Sequence, residues 1–375
     1  MHQFLHFVPA AFELAESGEA DVRIFVAAPD EAAFVSNLAD ALGYPAPAIT
    51  VMDLPGAISA LLGEHKRRKR HKGLRLALWS RRLRDADALL CAERTTTLLQ
   101  KLPGRCPPVL HIPHGAGDRA KGFEPRIAMF DHVVTVGEKD RDYLVAEDLM
   151  PPSRVHVGGP VKLAAIAMMQ RPTRLFENDR PIVLYNPHFD ADQTSFEIAG
   201  RLVDQVVADG RYNLVMAPHV RLAERWPAER VARWEARSVP GRVIVDMGSR
   251  RSADMTYTLG ADLYLGDVSS QIYEFIARPR PCLLVDTHRG DWQEDPNYAM
   301  WHFGPVVGPD ADFPAEIARA FETHARYRPY QEERARTALG PGAELLLHDD
   351  REAARSVIAG CARVLASLIP PPSDR

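Results

Sequence analysis

Along this chain, short apolar runs alternate with longer stretches in which apolar residues recur every third or fourth position. The first kind of pattern predicts buried strands and the second amphipathic helices. Phe4-Leu5-His6-Phe7-Val8 reads as a first strand, with a helix through Phe12 to Glu16. Val22 to Val26 reads as a second strand. Glu31 to Leu42 is a helix with Phe34, Leu38 and Leu42 on one face and Gly43 as its stop. Further strands are read at Ile49–Met52, Ala88–Cys91, Val109–Ile112, His132–Gly137 and Arg154–Val157. Strands separated by helices imply parallel sheets covered on their faces. Residues Arg171 to Pro181 carry prolines and charges with little apolar character, which marks a boundary. A second series then begins, with strands at Ile182–Tyr185, Asn213–Met216, Val243–Val245, Ala261–Leu265 and Cys282–Val285, and a last helix over Glu352 to Leu368.

A chain of 375 residues is long for one core and suits two domains. With 46% hydrophobic and 26% charged residues it has the balance of a soluble globular protein. A net charge of −4 gives no global reason to expect nucleic acid. The four cysteines are scattered, without metal-ligand spacing, as in a reduced compartment. No secretory leader and no apolar run of membrane-spanning length is visible, so the expected location is the cytoplasm.

One segment changes that picture. His65 to Lys72 is the densest charge run in the chain, and it leads into a stretch where Leu76, Trp79 and Leu83 share a helical face flanked by Arg75, Arg82 and Arg84. Residues 65–84 can dock on an anionic inner membrane face, or be a solvated helix whose Leu–Trp stripe packs on its own domain.

Candidate chemistry gathers at strand ends. Gly266-Asp267-Val268-Ser269-Ser270 lies between an apolar strand and a helix in which Ile272, Phe275 and Ile276 are helically spaced. Backbone N–H groups and the helix dipole suit such a corner to a phosphate, with two hydroxyls as added donors. The plainer alternative is that Asp267 or Ser269 only caps the helix. His114 follows the strand Val109–Ile112, in a turn where Gly115 and Gly117 let the backbone approach a ligand. There is no GxGxxG after the first strand. Asp190-Ala191-Asp192 reads as a turn, and no His/Asp/Glu cluster has metal spacing, so neither metal nor cofactor is expected.

In order along the chain, these motifs resemble those of the glycerophosphotransferases that polymerise teichoic acid from CDP-glycerol. Their His-Gly-Thr-Pro segment is matched by Pro113-His114-Gly115-Ala116, and their Tyr-Ala-Pro-Thr-Trp-Arg by Tyr185-Asn186-Pro187-His188-Phe189. Lys-Pro-His-Pro is matched by Ala217-Pro218-His219-Val220, and Asp-Tyr-Ser-Ser by Asp267-Val268-Ser269-Ser270, followed by Glu274-Phe275. The similarity spans roughly Val109 to Asp286. Ala116-Gly117-Asp118-Arg119 departs from the Thr-Pro-Leu-Lys of the family, and Ala217 replaces its Lys. The resemblance implies an α/β fold of two Rossmann-like domains facing a cleft, the GT-B type. It implies residues 1–172 as acceptor domain, 173–348 as nucleotide-donor domain, and 349–375 as a final helix and tail packing back on the first.

It further implies His114 as catalytic base, with His219, Arg221, Asp267, Ser269, Ser270, Gln271 and Glu274 around the nucleotide and phosphates. Glu274 is a candidate for a ribose hydroxyl. Gly115, Asp118, Arg119 and His188 are additional cleft candidates. The expected activity is metal-independent transfer of a glycerol phosphate or glycosyl group from a nucleotide-activated donor to a cell-surface glycan or lipid-linked acceptor. The alternatives are a UDP-N-acetylglucosamine 2-epimerase-like enzyme, or a non-catalytic nucleotide- or sugar-binding protein on the same fold.

Overall fold

The structure is a computed structural model and describes residues 3–45, 47–61, 71–113, 117–118, 125–169, 174–224, 226–287, 290–340, 343 and 350–371. The chain forms two compact units: residues 1–114, 121–169 and 338–375 make the first, and 115–120 with 170–337 the second. Residues 171–173 of the expected linker lie outside the described residues.

In the first unit, Phe4–His6 is a 3-10 turn and α1 (Val8–Glu16) follows it directly, where a strand was expected. Leu5, Val8 and Phe12 are all buried and fall at helical spacing. Pro9 sits in the first turn, where its missing N–H costs nothing, so helix wins over the apolar run. β1 (Arg23–Val26) leads into α2 (Pro29–Leu42), which starts on a proline and ends on Gly43 at φ +79°, a backbone conformation that favours glycine. β2 (Ala48–Val51) pairs parallel with β1. Then come α3 (Gly56–Leu61), α4 (Lys72–Leu83), β3 (Leu89–Cys91) and β4 (Val109–His111). β5 (His132–Thr135), α5 (Glu138–Ala146), β6 (Val155–Val157) and α6 (Val161–Met169) complete the series. β3 to β6 form a parallel sheet in sequence order. His111 is buried, with its ring stacked 4.1 Å from Phe130 and Nδ1 3.2 Å from the Cys91 carbonyl, so it is part of the packing.

The second unit holds one six-stranded, all-parallel sheet. Its elements are β7 (Ile182–Asn186), α7 (Ala199–Asp209), β8 (Asn213–Met216), α8 (Ala228–Glu235) and β9 (Val243–Val245). These are followed by α9 (Arg250–Ala253), α10 (Thr256–Gly260), β10 (Leu263–Gly266), α11 (Gln271–Ile276), β11 (Cys282–Val285) and β12 (Val306–Val307). The strands lie in the order β12-β11-β10-β7-β8-β9, so the direction of winding reverses between β7 and β10. Three of these strands are buried along their whole length and β7 from its second residue on, which is why they read as unbroken apolar runs. Arg280 is half-buried and donates to the carbonyls of Thr258, Leu259 and Phe275, closing the carboxyl ends of α10 and α11. Burial, with Arg278 nearby, lowers the pKa of this guanidinium to about 9.

The long α12 (Phe313–Leu339) carries the chain out of the second unit. α13 (Arg351–Ser367) then packs in the first unit against α1 and α6. α6 is buried from Val161 to Met168, and an apolar helix of this kind needs neighbours all round. α13 supplies one of them, so the last helix belongs to the core of the first unit. A Cβ on Gly158 would stand 2.9 Å from Cys361 Sγ of α13, which only glycine avoids.

Candidate functional site

Open parallel sheets bind ligands beyond the carboxyl ends of their strands, where the winding reverses. In the second unit that place lies beyond β7 and β10, whose last residues Asn186 and Gly266 are register partners, with β8 beside them. Three loops leave from there, carrying His188, His219 and Ser269-Ser270.

Asp267 ties the loops together. It is 2% exposed, and its carboxylate accepts from the backbone N–H of His188 at 2.9 Å, of Ser195 at 2.6 Å and of Val268 at 2.6 Å, and from Ser195 Oγ at 2.9 Å. Its carbonyl accepts from Trp301 Nε1 at 2.9 Å. Burial raises the Asp267 pKa, while the donors from Ser195, Val268 and His188 favour the carboxylate. Asn186 fixes the neighbouring loop by donating to the Ala217 carbonyl at 2.6 Å. The His219 N–H donates to the Pro187 carbonyl at 3.0 Å.

The two histidines share one tautomeric logic. His188 Nδ1 accepts from the Asp190 N–H at 3.2 Å, and His219 Nδ1 accepts from the Arg221 N–H at 3.2 Å. With Nδ1 as acceptor, the neutral ring carries its proton on Nε2, which makes Nε2–H a donor. The rings lie 5.8 Å apart, with Phe189 at 4.3 Å from His188 and 4.8 Å from His219. The Arg221 guanidinium stands 4.1 Å over Phe189, a cation–π contact that places a positive charge beside both rings.

At the third loop, Ser270 begins α11 but its hydroxyl makes no capping hydrogen bond. Ser269 is fully buried, and its Oγ has no hydrogen bond of good geometry among the described residues, although it interacts with the Tyr264 phenol. Gln271 donates to the Ser252 carbonyl at 3.3 Å, and Glu274 sits half-buried one turn further on. The segment at Gly117 and Asp118 also belongs to this unit. A Cβ on Gly117 would lie 3.0 Å from Ser270 Cβ, so the backbone there presses on the serine corner. The Asp118 side chain is 2% exposed and pairs with Arg334 at 2.8 Å, and Tyr273 donates to the same carboxylate. Burial, together with the Asp118 charge, pushes the Tyr273 pKa well up and keeps the phenol protonated.

Of the residues singled out in the sequence, the second unit thus brings together His188, His219, Arg221, Asp267, Ser269, Ser270, Gln271, Glu274 and Asp118. His114, Gly115 and Arg119 lie outside the described residues. Sequence reasoning missed Asn186 as a loop clamp, and also Ser195, Trp301, Tyr273 and Arg334. Ser195 and Asp267 are 72 positions apart, a separation that no local spacing reveals. Among the described residues, no group of three His, Cys, Asp or Glu could hold a metal ion.

No protein-family model matches this sequence, and no curated protein matches it. Solved structures do. The UDP-GlcNAc 2-epimerase of Neisseria meningitidis, bound to UDP-GlcNAc, superposes with TM-score 0.54 at 14% identity, over 92% of this chain and 96% of that one. MnaA of S. aureus with UDP gives TM-score 0.52 at 13% identity, over 86% and 93%. The wall teichoic acid polymerase TagF soaked with CDPG gives TM-score 0.58 at 11% identity, over 96% and 84%. At such identities the fold is what is shared: the chain has the two-domain, Rossmann-like α/β fold of the GT-B enzymes.

Proposed function

We propose that this protein is a GT-B transferase that takes a glycerol phosphate or glycosyl group from a nucleotide-activated donor and passes it to a cell-surface glycan or lipid-linked acceptor. The observation that carries the reading is the convergence of His188, His219 and the Ser269-Ser270 corner at the winding reversal of one sheet. There the Ser270 hydroxyl is not used as a helix cap. The two imidazoles, the Ser270 hydroxyl and the Arg221 charge form a polar surface suited to a diphosphate. Asp267 shapes that surface through the backbone, and Glu274 is assigned to a ribose hydroxyl. Three of the similar structures were solved with UDP-GlcNAc, UDP or CDPG, which supports a nucleotide-activated donor.

Transfer needs the acceptor hydroxyl deprotonated, and on the motif resemblance His114 is the base. It also needs the negative charge on the departing nucleotide stabilised. The donors named above do this without a metal, so turnover is expected to survive EDTA. Loss in EDTA restored by magnesium would overturn that mechanism.

The direct test is a thermal-shift screen of CDP-glycerol, CMP, UDP-sugars and GDP-sugars, because a ligand that binds only the folded state raises the apparent Tm. One nucleotide class should raise it, and Ser269→Ala with Ser270→Ala should weaken that donor. His114→Ala should lower turnover by about 10²–10⁴-fold and leave donor binding nearly intact. The similarity to 2-epimerases gives a second reading its footing. An epimerase would convert UDP-N-acetylglucosamine with no acceptor present, and that assay separates the two.

A further inference from the structure

Helix α4 distributes its side chains unevenly. Arg75, Trp79 and Leu83 point into the first unit: Arg75 Nε donates to the Met52 carbonyl at 2.6 Å, Trp79 Nε1 donates to the Asp53 carbonyl at 3.0 Å, and Leu83 is buried. Trp79 also meets Phe25 edge-on at 6.4 Å. The Trp stripe therefore packs on its own domain. The other face carries Leu74, Leu78 and Arg81, which share one arc of the helix at spacings of four and three, and Arg82 borders it with its exposed guanidinium 5.1 Å over the Trp79 ring.

Leu74 is 38% exposed and Leu78 46%. Leu98, 39% exposed, lies on the 3-10 turn Arg94–Lys101 that packs beside α4, and its Cδ1 would be 3.3 Å from a Cβ on Gly73. Among the described residues these three are all of the large apolar side chains that stand exposed, and they fall in one patch. Along the sequence of this segment the charge is of one sign. Residues 65–84 contain ten Lys and Arg and no Asp or Glu, in a chain whose net charge is −4. Lys72 makes an ion pair with Glu93, while Arg81 and Arg82 are exposed.

We propose that the face formed by Leu74, Leu78 and Leu98 docks on an anionic lipid surface, with Arg81 and Arg82 reaching the headgroup phosphates. Leucines bordered by arginines, whose long stems lie along apolar surface while the charged ends stay wet, match the boundary between acyl chains and headgroups. Nucleic acid fits less well. It shares the negative charge but gives exposed leucines nothing to bury, and no aromatic side chain is exposed on the patch for bases to stack on. An acidic protein or a second copy of this chain is a separate occupant that the experiment must exclude. The proposal does not depend on the transferase reading, because binding is measured without turnover.

The test is co-sedimentation of the full chain with vesicles of phosphatidylglycerol and phosphatidylcholine, or of phosphatidylcholine alone, at low and high salt. Binding is expected on the anionic vesicles only, and should weaken with salt. Leu74→Ser, Leu78→Ser and Leu98→Ser together should lower it on the order of 10- to 100-fold. Arg81→Gln with Arg82→Gln should lower it roughly 10- to 30-fold, about fivefold for each charge. Because the three leucines are exposed, Tm and circular dichroism should be unchanged, and the single change Leu78→Glu serves if the triple variant misfolds. Vesicle binding that ignores the leucine changes overturns the proposal, as does failure to bind anionic vesicles at low salt. It is equally overturned if sedimentation velocity shows a dimer that the serine variant dissociates without any lipid binding, or if a single-stranded oligonucleotide competes the protein off the vesicles.

Discussion

Asp267 is the residue on which the loop corner beyond β7 and β10 depends. Its carboxylate satisfies N–H groups from three places in the chain, so the β7 loop, the Ser195 turn and the start of the serine corner share one anchor. In Asp267→Asn an amide nitrogen replaces one acceptor oxygen and faces donors. A buried charged network broken at one partner costs about 3–5 kcal/mol, and the neutral replacement should come in somewhat below that. Urea unfolding should show a lower midpoint with an unchanged slope. The nucleotide response in a thermal-shift screen should fade as well, since the loops carrying His188 and Ser269 lose their common tie. A variant as stable as the parent would mean that the carboxylate contributes little to this corner. Asp118 poses a different case, because Tyr273 and Arg334 hold it from α11 and α12. Burial works against the Arg334 charge, but Tyr273 and Asp118 outweigh it and raise its pKa.

At the level of elements, the strand–helix alternation was legible because parallel strands buried on both faces leave unbroken apolar runs. Ile182 to Tyr185, Asn213 to Met216 and Cys282 to Val285 all form strands as read. Phe4 to Val8 misled, since an apolar run that short fits a strand or a buried helix equally, and Pro9 with Phe12 decided for helix. The amphipathic pattern of α4 was legible too, but which face it buries was not, because Phe25 and the Met52–Asp53 carbonyls lie far away in sequence. The candidate corner was legible where a residue follows closely on a strand, as His188, His219 and Ser269 do. It was not legible where a distant residue completes it, as Ser195 and Trp301 do.

The β5–β6 pair carries a pH prediction of its own. His132 Nδ1 and His156 Nε2 stand 3.1 Å apart, a contact that two imidazolium rings cannot share. Burial lowers both pKa values, helped by Arg154 at His132 and by His132 at His156. The folded state therefore binds fewer protons than the unfolded chain. This contribution is fully present above the unfolded pKa of about 6.5 and is lost as pH falls through the lowered folded values. Tm should drop between pH 7.5 and 5.5, and drop less in His132→Gln with His156→Gln. Parallel slopes for parent and variant would exclude the pair as the cause.

At the scale of the whole molecule, no helix among the described residues is long and apolar enough to cross a membrane. The two units differ in how the chain composes them. Apart from residues 115–120, the second is one continuous stretch from 170 to 337, whereas the first is closed by α13 from the far end of the sequence. Gly158→Ala tests that closure. A methyl group there would press on Val134 and Cys361, so stability should fall by about 1–3 kcal/mol, with the loss confined to the first unit. Hydrogen exchange should report faster opening of α6 and α13 and leave β7 to β11 unchanged.

That arrangement also sets an order in time. During synthesis the ribosome delivers α6 long before α13, so its apolar surface waits, partly uncovered, while the whole second unit is made and can fold. Nascent chains halted before residue 350 should yield a protease-resistant second unit beside a digestible first one, and holdase chaperones should capture them through α1 and α6. The protein's yield in a cell would then be set by how long one helix must wait for its partner.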